Sequence, residues 1–250
     1  MSTLRIAMWS GPRNISTAMM RAWENRPDTR VCDEPFYAYY LAQTGAPHPM
    51  AEEIIAAGPT DWREVVRRMT EDDAGDGVAA GRAIFYQKQM THHLLPDVGR
   101  EWLDLVTNCF LIRSPDEVLR SYLKKNYEPT AFDLGFPQQA EIYDYVKQRT
   151  GRTPIVIDAR DVLEQPRETL GLLCDALGVP MREEMLSWPT GYRPTDGIWA
   201  PHWYGEVVKT TTFGKPRNEP ASEDTVPSNF FDVLRECDAI YARLRKVRLR

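Results

Sequence analysis

Leu4-Arg5-Ile6-Ala7-Met8-Trp9-Ser10-Gly11-Pro12-Arg13-Asn14-Ile15-Ser16-Thr17 carries the reading of the fold. Its apolar first half reads as a buried strand over 4–10, and the pattern that follows predicts a helix over 16–26. A glycine-bearing turn joins them. Such a turn, opening a helix, offers unbonded backbone N–H groups and the positive end of the helix dipole to a phosphate. It is not the Walker A form G-x-x-x-x-G-K-S/T, because neither the second glycine nor the lysine is present and Arg13 is the only cation in the turn. Taken alone, the turn is equally well read as Ser16 capping a helix.

Beyond this stretch, strand-like runs at 30–33, 83–88, 106–112 and 155–157 alternate with helical patterns. The run 106–112 is the strongest buried-strand signal. After it, Ser114, Pro115 and Glu117 have the N-cap, N1 and N3 spacing of a capping box, and Val118, Leu119 and Tyr122 give that helix an apolar face. Leu170, Leu173, Cys174 and Leu177 mark another helix, stopped by Gly178 with Pro180 beyond. The alternation predicts an α/β domain with a mostly parallel sheet and a ligand crevice at the carboxyl ends of its strands. The chain reads as one domain over 1–250 with irregular insertions near 40–75 and 188–228 and a packing helix over 229–246.

Composition narrows the function. The 250 residues are 42% hydrophobic and 27% charged, enough to bury a core without a metal or disulfide staple. The formal charge of −5 provides no long-range attraction for nucleic acid or an anionic membrane, so a small-molecule partner is expected. Cys32, Cys109, Cys174 and Cys237 lack metal or redox spacing and read as core thiols. With no membrane-length apolar run and no export signal, the expected location is a cytoplasm.

Arg113 ends the strong strand, and Ser121 follows eight residues on, so a guanidinium and a hydroxyl are placed to grip one phosphate. Together with the first turn, these residues resemble the sulfotransferase family that uses 3′-phosphoadenosine 5′-phosphosulfate (PAPS) as donor. Pro12-Arg13-Asn14-Ile15-Ser16-Thr17 is similar to that family's 5′-phosphosulfate loop. Arg113-Ser114-Pro115 with Ser121 matches its 3′-phosphate site, and Asp161 to Gly178 resembles a later family stretch, with Ala159 where relatives carry a tyrosine. The resemblance, spanning about residues 4 to 180, implies a P-loop NTPase-like three-layer α/β fold. It implies donor contacts from Arg13, Asn14, Ser16, Thr17, Arg113 and Ser121, joined by Lys209, Thr211 and Phe213 in a late loop.

The same resemblance points to Glu34 after the second strand as the base that deprotonates the acceptor, with Asp33 as its rival. It points to Lys88 or Arg13 as the charge that neutralises the leaving phosphate, and to His92, of the His92-His93 pair, as a second candidate base. Trp199, His202, Trp203 and Tyr204 form an aromatic group, read either as an acceptor wall or as a satellite core. The scheme calls for no metal. Two other readings stay open: an ATP-dependent small-molecule kinase, in which Ile155-Val156-Ile157-Asp158 supplies a magnesium-binding aspartate, and a nucleotide-binding protein without catalysis.

Overall fold

The computed structural model describes residues 3–71, 83–124, 128–216 and 226–250. Its centre is a five-stranded sheet of β1 (Leu4–Ser10), β2 (Thr29–Asp33), β3 (Ile84–Met90), β4 (Thr107–Ile112) and β5 (Ile155–Asp158), in the order β2-β3-β1-β4-β5. Every pairing is parallel. The period-2 alternation of β1 sends Ile6 and Met8 to one face and Ala7 and Trp9 to the other, each into its own hydrophobic core. Both faces being covered is why these strands read as nearly continuous apolar runs.

One layer contains α1 (Ser16–Glu24), α7 (Ala159–Glu164) and α8 (Pro166–Leu177). Met19, Met20 and Trp23 of α1 are fully buried there, and Trp23 stacks on Tyr86 at 5.5 Å. The opposite layer contains α4 (Trp62–Thr70), α6 (Phe136–Thr150) and α10 (Phe231–Arg245). The three-layer α/β architecture is the expected one. β3 and β4 flank β1 on opposite sides, so the crossovers reverse direction there and open a crevice at its carboxyl end.

Three local expectations are corrected. Ser114 makes no side-chain cap on α5 (Pro115–Leu123), because Glu117 turns to the guanidinium of Arg113 at 2.8 Å, a charge-assisted bond that outcompetes a neutral N–H. The stretch near 40–75 is not irregular where described: it folds into α2 (Tyr37–Thr44), α3 (Ala51–Ala57) and α4, while 72–82 lies outside the described residues. The 188–216 stretch carries α9 (Ala200–Trp203), and 217–225 lies outside the described residues. All four cysteines are free; three are buried and Cys32 is half-buried. No described helix is long and apolar enough to cross a membrane.

The chain entering α6 lies directly on the turn after β1. A Cβ on Gly11 would meet the Leu134 carbonyl oxygen at 2.5 Å, and one on Gly135 would meet Thr91 Oγ1 at 2.5 Å and Gly11 Cα at 3.2 Å. Gly135 also has φ +76, a conformation costly for any other residue. Gly135→Ala is therefore expected to cost about 1–3 kcal/mol of unfolding free energy. Urea denaturation of the variant beside the parent chain checks this; an unchanged midpoint would show that the two segments do not pack as described.

Candidate active site

The turn after β1 leaves the strand in a left-handed step at Arg13, φ 56. This step aims the Arg13 carbonyl at β4, where Arg113 Nη1 donates to it at 2.7 Å, while Arg13 Nε donates to Ser121 Oγ at 2.8 Å on α5. Residues 13, 113 and 121, far apart in sequence, thus form one group at the carboxyl ends of β1 and β4. Asn14 fastens the turn: its Nδ2 donates to the Leu111 carbonyl at 3.0 Å, and its Oδ1 accepts from the Ile15 N–H at 2.8 Å. Ser16 and Thr17 then open α1, whose first-turn N–H groups have no partner within the helix. Ser16 is not the cap; Ile15 holds that position without a side-chain bond.

One strand pair away lies a second polar group, buried except at Glu34. Lys88 in β3 sits beside Asp33 in register and is 1% exposed. Its Nζ donates to Asp33 Oδ1 at 2.9 Å, Glu34 Oε1 at 2.7 Å and the Tyr204 hydroxyl at 2.6 Å, which occupies all the donors of an ammonium. Burial opposes the charge of Lys88, yet the two carboxylates win and hold its pKa well above the ordinary lysine value. Asp33 Oδ2 accepts from Tyr204 Oη at 2.6 Å and from the Gly197 N–H at 3.1 Å, so neither of its oxygens lacks a donor.

Glu34 differs from its neighbour. A left-handed backbone, φ 42, turns it out of β2. One oxygen is held by Lys88, and the other faces His93 Nδ1 at 4.0 Å. Burial and the charge of Asp33 raise the Glu34 pKa, with Lys88 pulling it back in part. His92 and His93 are buried beside it among Tyr37, Tyr40 and His48, with both Nδ1 atoms lacking a hydrogen-bond partner. Burial and the neighbouring His48 push the His92 pKa down to about 3.

Other candidates fall elsewhere. Thr211 accepts the Trp188 N–H at 2.8 Å through its carbonyl, and Phe213 packs edge-on against Trp188 at 5.0 Å. Ser187, bridged to Thr212, is held by Asn25 at the carboxyl end of α1, about 13 Å along the helix from the Arg13 turn. Thr211 and Phe213 thus lie toward the carboxyl end of α1 rather than at the Arg13 turn, with the Phe213 ring packed into the core. Lys209 is exposed and pairs with Glu206. Asp158, the magnesium candidate of the kinase reading, caps α7 through the Arg160 N–H at 2.9 Å and accepts Tyr241 Oη at 2.7 Å.

Sequence reasoning missed the hydroxyl of Tyr204. The aromatic group around it is a satellite core of Tyr37, Leu41, Ile54, Trp199 and Tyr204, but nothing in the pattern marks one of those rings as a partner of Lys88. Gly135 was missed for the same reason, since its close approach to Gly11 exists only in the folded chain.

The sequence matches the family model for the sulfotransferase domain over residues 4–242. Branched-chain-amino-acid aminotransferase-like proteins 1 and 2 of Arabidopsis thaliana are each 34% identical to it, across 96% of this chain and 41% of theirs. The chain thus spans about two fifths of the length of the curated relatives it matches. Among solved structures, the sulfotransferase domain from the curacin biosynthetic pathway aligns with a TM-score of 0.57 at 15% identity, covering 97% of this chain and 98% of that one. The sulfotransferase domain from the Synechococcus PCC 7002 olefin synthase aligns with a TM-score of 0.59 at 15% identity, covering 97% and 96%. These two share the fold of the sheet and layers described above. With the family model covering nearly its whole length, the chain belongs to the sulfotransferase domain family.

Proposed function

We propose that the chain transfers a sulfuryl group from PAPS to a hydroxyl or amine of a small-molecule acceptor. The observation that carries this reading is the convergence of Arg13, Arg113 and Ser121 at the switch point of the sheet. There the first-turn N–H groups of α1, with Ser16 and Thr17, would hold the 5′ end of the donor, and Arg113 would hold its 3′ end. The donor supplies an activated sulfur: its bond to the 5′-phosphate oxygen breaks as the bond to the acceptor heteroatom forms. Arg13 is the cation placed to neutralise that leaving oxygen. The net charge of −5 also favours a small-molecule acceptor over nucleic acid.

Glu34 takes the acceptor proton in this scheme. Asp33 has both oxygens occupied, and a histidine with a pKa of about 3 is neutral but too weak a base near neutrality. A carboxylate with a raised pKa, 12% exposed and with its second oxygen 4.0 Å from His93 Nδ1, suits the task better. Lys88, with its donors engaged, fixes Glu34 and keeps it ionised rather than reaching the leaving group. The aminotransferase-like name of the plant relatives belongs to proteins of which the match covers 41%, and that chemistry is not proposed for this chain.

Calorimetry with adenosine 3′,5′-bisphosphate, adenosine 5′-phosphate and ATP tests the donor assignment. The bisphosphate should bind tightest, and Arg113→Ala should remove about 2 kcal/mol of that preference. A preference for ATP with magnesium would favour the kinase reading instead. Glu34→Gln should lower kcat with the sulfate donor and a panel of alcohols and amines by about 10²–10⁴-fold while leaving bisphosphate binding in place. Tight binding without turnover in the parent chain would favour a non-catalytic role.

The neutral burial of His92 has a thermodynamic signature. The unfolded chain takes up a proton near the ordinary histidine value of 6.5, whereas the folded site resists until about 3. Stability from this group is thus complete above 6.5 and is lost as pH falls through that window, with the folding constant dropping about tenfold per pH unit. His92→Gln should flatten the pH dependence of urea unfolding between pH 6 and 4 by one proton, and an unaltered slope would refute the buried neutral state.

A further inference from the structure

Two of the three acceptors around Lys88 belong to the end of β2; the third, the Tyr204 hydroxyl, is brought in from 116 residues further along the chain. The segment that delivers it is pinned at several points. Arg21 of α1, 1% exposed, donates to Asp196 Oδ2 at 2.6 Å, and the Arg193 N–H donates to the same oxygen at 2.8 Å. Glu24, one turn along α1, accepts from Arg193 Nη1 at 3.0 Å and from the Thr195 hydroxyl. The Gly197 N–H then reaches Asp33, and the short helix α9 carries the chain to Tyr204, which is 4% exposed.

The hydroxyl so placed meets one ammonium and two carboxylates. Tyr204 Oη donates its hydrogen to Asp33 Oδ2 at 2.6 Å and accepts from Lys88 Nζ at 2.6 Å, with Trp199 Nε1 at 3.3 Å. Burial and the charge of Asp33 hold its pKa well above the ordinary tyrosine value, so it keeps that hydrogen. Glu34 is faced by Lys88 and Asp33 from the strands, by His93 after β3, and by Tyr37 and Tyr204 from the helical segments. Burial keeps His93 uncharged and the Tyr37 hydroxyl protonated. The charge felt by Glu34 is therefore a balance between Lys88 and Asp33, and Tyr204 is bonded to both.

We propose that Tyr204 is a positioning residue for sulfuryl transfer: its hydroxyl fixes how the one ammonium is divided between Asp33 and Glu34, and thereby holds Glu34 in place as the base. The inference rests on the reading of Glu34 above. Tyr204 acts through Lys88 and Asp33 rather than on the reacting atoms.

Tyr204→Phe keeps the ring, whose centroid lies 4.7 Å from Lys88 Nζ, and removes the hydroxyl. Asp33 then presents more of its charge to Glu34, and one Lys88 N–H loses its acceptor. The test is the pH profile of kcat/KM on the full chain, with PAPS and the most active alcohol or amine of the panel. The acidic limb should move up by about half a unit to one unit, a shift of the size one buried hydrogen bond supplies. The affinity for adenosine 3′,5′-bisphosphate should change by less than about twofold, since uniform binding is untouched. In an Asp33→Asn background the same substitution should move the limb by less than about 0.2 unit, because the coupled charge is gone. An unmoved limb in a variant that still binds the bisphosphate overturns the inference while the sulfotransferase reading survives. Equal shifts in both backgrounds, or loss of bisphosphate binding with the hydroxyl, would show a purely structural tyrosine and overturn it as well. A parent chain without turnover, or one whose acidic limb survives Glu34→Gln, overturns the reading of Glu34 and this inference together.

Discussion

A buried ammonium organises the carboxyl ends of β2 and β3. Lys88 has lost its water, and the desolvation cost of such a charge is met only when every N–H finds an acceptor at close range. Those acceptors come from the end of β2 and from Tyr204, which follows α9, so one lysine fastens a strand end and a distant loop segment to β3. The arrangement also separates two adjacent carboxylates. Asp33 becomes a saturated structural anion, whereas Glu34, turned aside by its left-handed backbone, keeps one oxygen 4.0 Å from His93 Nδ1.

The carboxyl ends of β1 and β4 depend on an interlock rather than on a single charge. Arg113 donates to the backbone of the Arg13 turn, and the Arg13 side chain reaches back to Ser121 on the helix that follows Arg113. The turn after β1 and the start of α5 are therefore tied to one another. Where a P-loop would use glycines to let the backbone approach a phosphate, this chain takes the left-handed step at Arg13 and steadies it with Asn14. The segment through Leu134 and Gly135 closes over Gly11 from the other side.

Some of this was legible in the residues and some was not. The strand runs and the α8 helix with its left-handed Gly178 stop could be read because burial on both sheet faces and helix capping leave local marks. Ser114 and Glu117 show the opposite case: a local capping pattern was overridden by a guanidinium whose position depends on the sheet. Nothing local in Lys209 to Phe213 shows that Trp188 buries the Phe213 ring, since that contact is made across the fold.

Sequence alone determined the α/β class, the order of its strands along the chain and the identity of Arg13, Glu34 and Arg113 as residues that follow strands, whereas Lys88, read as a strand end, lies inside β3, which runs on to Met90. Tertiary structure decided what each of them touches. Hydrophobic periodicity is a local property and survives in one dimension, whereas the partners of a buried charge or a guanidinium fork are chosen by distance, which exists only once strands 80 to 100 residues apart lie side by side.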